Sequence, residues 1–144
     1  MKYRLLLAAI WMLGILSCQE SEAPARPLVE THWLIRSVDG DTSGVSGLSP
    51  RPYLMIREGS EGMRFQVHAG CNNMLGHVET DSVSSLRFTR IASTRKMCER
   101  MDLEDAMQAI LPEIDGFRIS GETLYLSAGK AERVMLEAGP RAVQ

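Results

Sequence analysis

The chain has 144 residues, an ordinary apolar fraction of 44% and a formal net charge of −2. This length favours one globular domain with its own hydrophobic core. Removing a leader that contains Lys2 and Arg4 leaves 14 of the 16 basic residues against 18 acidic ones. Phosphate binding needs clustered positive charge, so this balance argues against a nucleic-acid partner.

The N-terminus carries the pattern of an export signal. Two basic residues precede an apolar run from Leu5 to Leu16, which ends at Ser17-Cys18. The run is shorter than the roughly 17 to 25 residues of a transmembrane helix and matches the apolar region of a secretory signal. Its end looks like a lipobox, where the signal is cut before a cysteine that carries lipid. We expect a lipoprotein signal peptide at residues 1–17 and lipid on Cys18. An ordinary signal peptide with an accidental cysteine is the alternative, and either one exports the chain.

A polar stretch follows the leader. It contains Pro24 and Pro27 and no apolar periodicity, so we expect residues 18–28 to form a tether that reaches at most about 35 Å. The globular domain is expected at residues 29–138, with residues 139–144 as a tail. The domain would then lie close to the membrane.

Most of the domain shows strand patterns. The expected strands are at residues 31–38 and 53–57, on either side of residues 70–73, around Leu86 and Phe88, and at residues 117–120, 123–127 and 133–137. A mobile loop is expected at residues 41–52 and a hairpin loop at residues 58–62. In the first strand, Trp33 and Ile35 are predicted on one face and Leu34 and Val38 on the other.

Alternation from Met63 onward predicts which side chains face the core. The inward set is Met63, Phe65 and Val67, and the outward set is Arg64, Gln66 and His68. Carried forward without a bulge, this parity places Cys71 and Val78 inward and His77 outward. The paired Asn72 and Asn73 are expected to shape the turn between the two strands.

Residues 101–111 change to a helical period, with one apolar stripe and with Glu104 off that stripe. Asp102 is the predicted N-cap, and Pro112 marks the end of the helix. Several antiparallel strands with one late helix predict an α+β domain, a small, strongly curved antiparallel sheet or barrel with the helix packed on it. Its interior is expected to be filled by side chains.

The cysteine count predicts a disulfide. If Cys18 carries lipid, Cys71 and Cys98 remain as an even pair in an oxidising compartment. Closing a loop of 28 residues, from 71 to 98 inclusive, is worth roughly 3.5 kcal/mol in the chain-entropy model.

Two other roles for these residues stay open. Cys71 with His68, Met74 and His77 could form a soft-metal site suited to copper, although the alternation sends the histidines outward and the cysteine inward. A thiol-redox role for Cys71 and Cys98 is the second possibility, but catalytic dithiols usually lie close together in sequence. A periplasmic copper or redox protein is therefore the alternative function.

Two short motifs frame the middle of the chain. The first comprises Gly70, Cys71, Asn72 and Asn73, with Gly76 five residues beyond the cysteine, and the second comprises Thr94 and Cys98, four residues apart. Together they resemble the META domain of HslJ-type bacterial envelope lipoproteins, and the resemblance extends from about Trp33 to about Leu136. It implies a META-like fold and a small envelope protein without known catalysis, linked to stress or antibiotic tolerance. Gln19, which follows Cys18 where some lipoproteins carry Asp, favours the outer membrane, facing the periplasm.

The expected partners follow from this interpretation. They are the membrane, through the N-terminal lipid, and an envelope protein or lipid; the domain itself is expected to be a monomer. Arg90, Arg95, Lys96 and Arg100 form a basic patch around Cys98, which is either a solvated surface or a contact for an anionic partner. No Gly-x-Ser-x-Gly elbow is present, and we expect neither enzymatic activity nor a cofactor.

Overall fold

The structure is a computed structural model that describes residues 24–140. The predicted signal peptide, Cys18 and most of the predicted tail lie outside these residues. Within residues 24–140, no helix is both long enough and apolar enough to span a lipid bilayer.

The domain is an eight-stranded antiparallel sheet that curls into a half-barrel and carries one short α-helix, as the strand and helix patterns predict. The elements in chain order are β1 His32–Val38, β2 Tyr53–Gly59, β3 Gly62–His68, β4 Asn73–Thr80, β5 Leu86–Ser93, α1 Asp102–Ile110, a 3-10 helix Leu111–Glu113, β6 Gly116–Ser120, β7 Thr123–Ala128 and β8 Ala131–Ala138. The strand order is β5-β4-β3-β2-β1-β8-β7-β6. The chain thus builds two antiparallel meanders that meet where β1 pairs with β8.

The two edges of the sheet approach each other at one place. A bridge joins Ser85 to Gly116, and Phe117 N donates to Ser84 O at 2.8 Å. Helix α1 and the 3-10 helix connect β5 to β6 at this open side. They bury Leu103, Met107, Ile110 and Leu111 in the same core as Trp33 and Phe65.

A bulge in β1 overturns one prediction about its faces. Ile35 pairs with Leu136 and Ser37 with Met135, so Arg36 is an extra residue in β1. A one-residue insertion reverses the alternation beyond it. Val38 therefore joins the core cluster that contains Trp33 and Ile35, and does not share the face of Leu34.

The helix start also differs from the prediction. Met101 is the N-cap, without a side-chain cap hydrogen bond, and Asp102 is the first helical residue. The prediction that Asp102 is the N-cap is therefore wrong, although the charge of Asp102 suits the first turn, where the backbone N–H groups are unpaired. The α-helix ends at Ile110, two residues before Pro112.

The β2–β3 turn is tighter than the predicted five-residue loop. Gly59 pairs directly with Gly62, which leaves Ser60 and Glu61 as a two-residue hairpin turn. The predicted alternation holds through β3, where Phe65 and Val67 are buried and Arg64 is exposed. This register places Arg64, Gln66 and His68 on the side of the sheet that faces away from the core.

Candidate functional site

The structure joins Cys71 and Cys98 in a disulfide. The sulfur atoms lie 2.05 Å apart and the Cα atoms 6.1 Å apart. Cys71 lies in the four-residue connection between β3 and β4, and Cys98 lies in the segment between β5 and α1. The disulfide therefore fixes the β3–β4 connection to the chain that leads into the helix.

Asn72 is the centre of a hydrogen-bond network beside this disulfide. Its side-chain oxygen accepts from Thr94 Oγ1 at 2.8 Å and from Lys96 N at 2.7 Å. Its Nδ2 donates to Lys96 O at 3.0 Å and to Glu104 Oε1 at 2.7 Å. The side chain is 2% exposed, so these bonds replace the water that it loses. The Asn72 side chain thus holds the second motif in place, which is more than the turn-forming role predicted for it.

Glu104 is the residue that sequence reasoning missed. It is 1% exposed, and its carboxylate accepts from Asn72 N at 2.8 Å and from Gln108 Nε2 at 3.2 Å, besides Asn72 Nδ2. The prediction that it lies off the buried stripe is wrong. A signal was present, since Glu104, Met107 and Leu111 follow the i, i+3, i+7 spacing of one helix face.

The remaining motif residues have identifiable structural roles. Asn73 N donates to Thr94 Oγ1 at 3.2 Å and Thr94 N donates to Asn73 O at 3.1 Å, which links the start of β4 to the end of β5. Gly70 has φ of +107°, a conformation that glycine adopts without strain. Gly76 lies under the ring of Phe65, where a Cβ atom would be 2.6 Å from Phe65 Cε1.

The structure does not bring the four soft-metal candidates together. Cys71 is bonded to Cys98, and Met74 is fully buried in the core. His68 and His77 are half-buried on the other side of the sheet, with His68 Nδ1 3.3 Å from Asn73 Oδ1. Within residues 24–140, no three His, Cys, Asp or Glu side chains are grouped so that they could hold a metal ion.

The basic patch predicted around Cys98 is divided. Arg100 donates to the carbonyl oxygens of Ser46, Ser43 and Gly44 at 2.8 to 3.3 Å, so it fastens the loop between β1 and β2. Arg90 lies instead on the outward side of the sheet, in a groove with Arg57 and Arg64. Arg90 and Arg100 therefore do not belong to one patch.

A row of rings lies beside this groove. His32 contacts Tyr53 with ring centroids 4.4 Å apart, and Tyr53 lies 6.0 Å from His68. Burial lowers the pKa of His32, and the neighbouring Arg51 and Arg57 lower it further. His32 is thus held in its neutral form to a lower pH than an exposed histidine.

Comparison with known proteins agrees with these motifs. A family profile described as META domain matches residues 26–139. An NMR structure of a protein from Burkholderia xenovorans is similar in fold, with a TM-score of 0.59 and 21% identity over 88% of this chain and 100% of that one. A search of curated proteins finds no match. The matched profile covers most of the chain, and the chain therefore belongs to the META domain family.

Proposed function

We propose that this protein is a non-catalytic, lipid-anchored protein of the cell envelope, similar to HslJ, whose META domain binds an envelope partner close to the membrane. Its place is the periplasmic face of the outer membrane, and its role is accessory, in tolerance to stress or antibiotics. The observation that carries the proposal is the disulfide between Cys71 and Cys98. Disulfides persist in oxidising compartments, which agrees with the export signal and with lipid on Cys18.

Two hydrogen bonds of the N-terminal segment support a position of the domain near the lipid anchor. Arg26 N donates to Gly121 O at 3.0 Å, and Trp33 Nε1 donates to Leu28 O at 3.0 Å. The chain is therefore fastened to the domain from Arg26 onward, which shortens the tether predicted at residues 18–28. An extended chain from Cys18 to Arg26 spans at most about 30 Å, so the anchored domain stays at the membrane surface.

Lipid labelling tests the anchor. Cells are grown with a tagged fatty acid, and the wild-type chain is compared with Cys18→Ser. We expect label on the wild type, none on Cys18→Ser, and an intact disulfide in both. Labelled Cys18→Ser, or an unlabelled wild type, would refute anchoring at this cysteine.

Thiol alkylation tests the binding-protein interpretation against the copper or redox alternative. Protein isolated from the envelope is alkylated before and after reduction. A structural disulfide predicts no reactive thiol before reduction and two thiols, Cys71 and Cys98, after it. Free thiols in freshly isolated protein would instead support the metal or redox function. Crosslinking in intact cells then identifies the partner.

A further inference from the structure

The outward face of β2 to β5 carries two adjacent rows of side chains with different chemistry. Strand pairing places Arg57 opposite Arg64, and these two arginines form a cationic row that continues to His77, the other neighbour of Arg64. A second row lies two residues further along each strand. It consists of Met55, Gln66, Leu75 and Ala92, which pair in that order, and it is mainly apolar. Two residues of strand separate the rows by about 7 Å.

A bulge in β5 shapes this face into a groove. Leu75 pairs with Ala92 and His77 with Thr89, so Arg90 and Ile91 both lie opposite Gly76. Arg90 has φ of +52°, as a bulged residue can, and its side chain joins the cationic row. The resulting groove has a volume of about 370 Å³, which lies at the lower end of the range for small-ligand sites.

The groove concentrates positive charge in an acidic protein. Arg57 and Arg64 are direct cross-strand neighbours, an arrangement in which like charges repel. Glu30 lies 3.9 Å from Arg57 and Glu61 lies 2.9 Å from Arg64, but all four side chains are more than half exposed. Such exposed pairs contribute little.

The lining of the groove contains no carboxylate to balance these cations. Of the described residues that line it, none is acidic. Glu61 and Glu79 lie instead with Arg90 along the adjoining hollow. A bound anion would therefore relieve a repulsion that the chain's own acidic residues leave largely in place.

The apolar side chains next to the cations indicate which kind of anion the groove would bind. Leu75, which lines the groove, is 47% exposed, and few large apolar side chains of the described domain are so accessible. A free inorganic anion would contact the arginines and leave Leu75 and Met55 in water. A ligand with an anionic head and an apolar chain would cover both rows.

We propose that this groove binds the phosphate head group of an anionic lipid, with the first part of an acyl chain on Leu75, Met55 and Ala92. Arginine donors match phosphate oxygens in charge and geometry. The inference rests on the proposed function, because a domain held at the membrane surface meets such lipids at high local concentration, and it names the chemistry of the envelope partner.

Binding is measured on the full chain carrying Cys18→Ser, which has no site for the anchoring lipid. The probe is dihexanoyl phosphatidic acid below its aggregation concentration, and the readout is calorimetry together with amide chemical shifts. We expect saturable binding, with shifts centred on β2 to β5. Arg64→Gln and Arg57→Gln are each expected to lower the affinity about tenfold, the size of one charge-assisted hydrogen bond. Leu75→Ser should also weaken binding.

Matched controls make the result specific. Arg118→Gln removes an exposed arginine from β6, outside the groove, where it pairs with Glu132, and should leave the affinity unchanged. Equal affinity for dihexanoyl phosphatidylcholine, for inorganic phosphate or for hexaglutamate would overturn the assignment to an anionic lipid. Unchanged binding in both groove arginine variants would also overturn it. A matching melting temperature in each variant shows that the fold is intact.

Different results would refute the groove assignment and the anchoring proposal. If Cys18 is not lipidated but the Cys18→Ser protein binds phosphatidic acid, the anchoring proposal is wrong and the groove assignment stands. If Cys18 is lipidated but no saturable binding is found, the groove assignment is wrong and the anchor stands.

Discussion

The hydrogen bonds between Asn72 and Glu104 make a quantitative prediction. Asn72→Asp keeps the shape of the side chain but replaces Nδ2, which lies 2.7 Å from Glu104 Oε1 and 3.0 Å from Lys96 O, by an oxygen. Two acceptors then face each other, and two carboxylates share a site that is 1 to 2% exposed. An uncompensated buried charge costs about 3 to 5 kcal/mol, so we expect Asn72→Asp to lower the free energy of unfolding by about 4 kcal/mol.

Glu104→Gln perturbs the same contact from the other side. The carboxylate accepts from both Asn72 N and Asn72 Nδ2, whereas an amide offers one oxygen and one NH₂ group. One donor of Asn72 therefore meets another donor. The loss of one charge-assisted bond predicts a decrease of about 2 to 3 kcal/mol.

The double variant, Asn72→Asp with Glu104→Gln, distinguishes this geometry from general destabilisation. The new carboxylate at position 72 accepts from the new amide at position 104, and the oxygen of that amide accepts from the backbone N of residue 72. The combined loss should be about 2 to 3 kcal/mol smaller than the sum of the single losses, at the upper end of coupling between residues in contact. The remaining cost comes from Lys96 O, which loses its donor, and from Gln108 Nε2, which loses the carboxylate oxygen that accepts its hydrogen bond.

The assay is urea unfolding of oxidised protein, followed by circular dichroism. The exposed Glu99 is the control, and Glu99→Gln should change the free energy by less than about 0.5 kcal/mol. Additivity of Asn72→Asp and Glu104→Gln within about 0.5 kcal/mol would refute the direct contact.

Three further predictions concern other parts of the domain. Cys71→Ser should lower the free energy of unfolding of oxidised protein by about 3.5 kcal/mol and leave reduced protein almost unchanged; equal losses would indicate packing alone. Gly76→Ala should cost about 2 to 3 kcal/mol in urea unfolding, because the added Cβ meets Phe65 Cε1 and Thr89 O at 2.6 Å, whereas Gly44→Ala, with its nearest contact at 3.6 Å, should be nearly neutral. Because the folded state lowers the pKa of His32 from 6.5, the unfolded chain binds its proton more tightly. The free energy of unfolding should therefore decrease as the pH is lowered from about 6.5 to the folded-state pKa, and it should change no further below that pKa. His32→Gln should reduce this pH dependence in a titration followed by thermal unfolding.

The parts of the fold that were predictable depend on short-range patterns. Strand alternation correctly assigns Phe65, Val67 and Val78 to the core, because a period of two needs only local residues. The turns that join the last three strands are equally local, because Gly121 and Gly129 adopt a positive φ that glycine reaches without strain. The cysteine count led to the pairing of Cys71 with Cys98, which an oxidising compartment favours.

The errors arise where the structure depends on distant contacts. The bulge at Arg36 is set by pairing with β8, about 100 residues later, so the local pattern of β1 gave no sign that Val38 changes face. The burial of Glu104 depends on Asn72, which lies 32 residues earlier. A carboxylate at a stripe position is ordinarily a reason to exclude it from the core, and only the motif asparagine supplies the donors that permit it.

Under the proposed function, the buried network also limits where a partner could bind. Asn72, Cys71 and Glu104 are 8% exposed or less, and the hydrogen bonds of Asn72 are directed at other residues of the domain. Side chains that satisfy one another in the interior have little surface left for a ligand. The network around Asn72 therefore stabilises the fold, and under the proposed function a partner would contact outward-facing residues such as Arg64 and Leu75. The hydrogen bonds of Asn72 therefore do not by themselves predict which ligand the domain would bind.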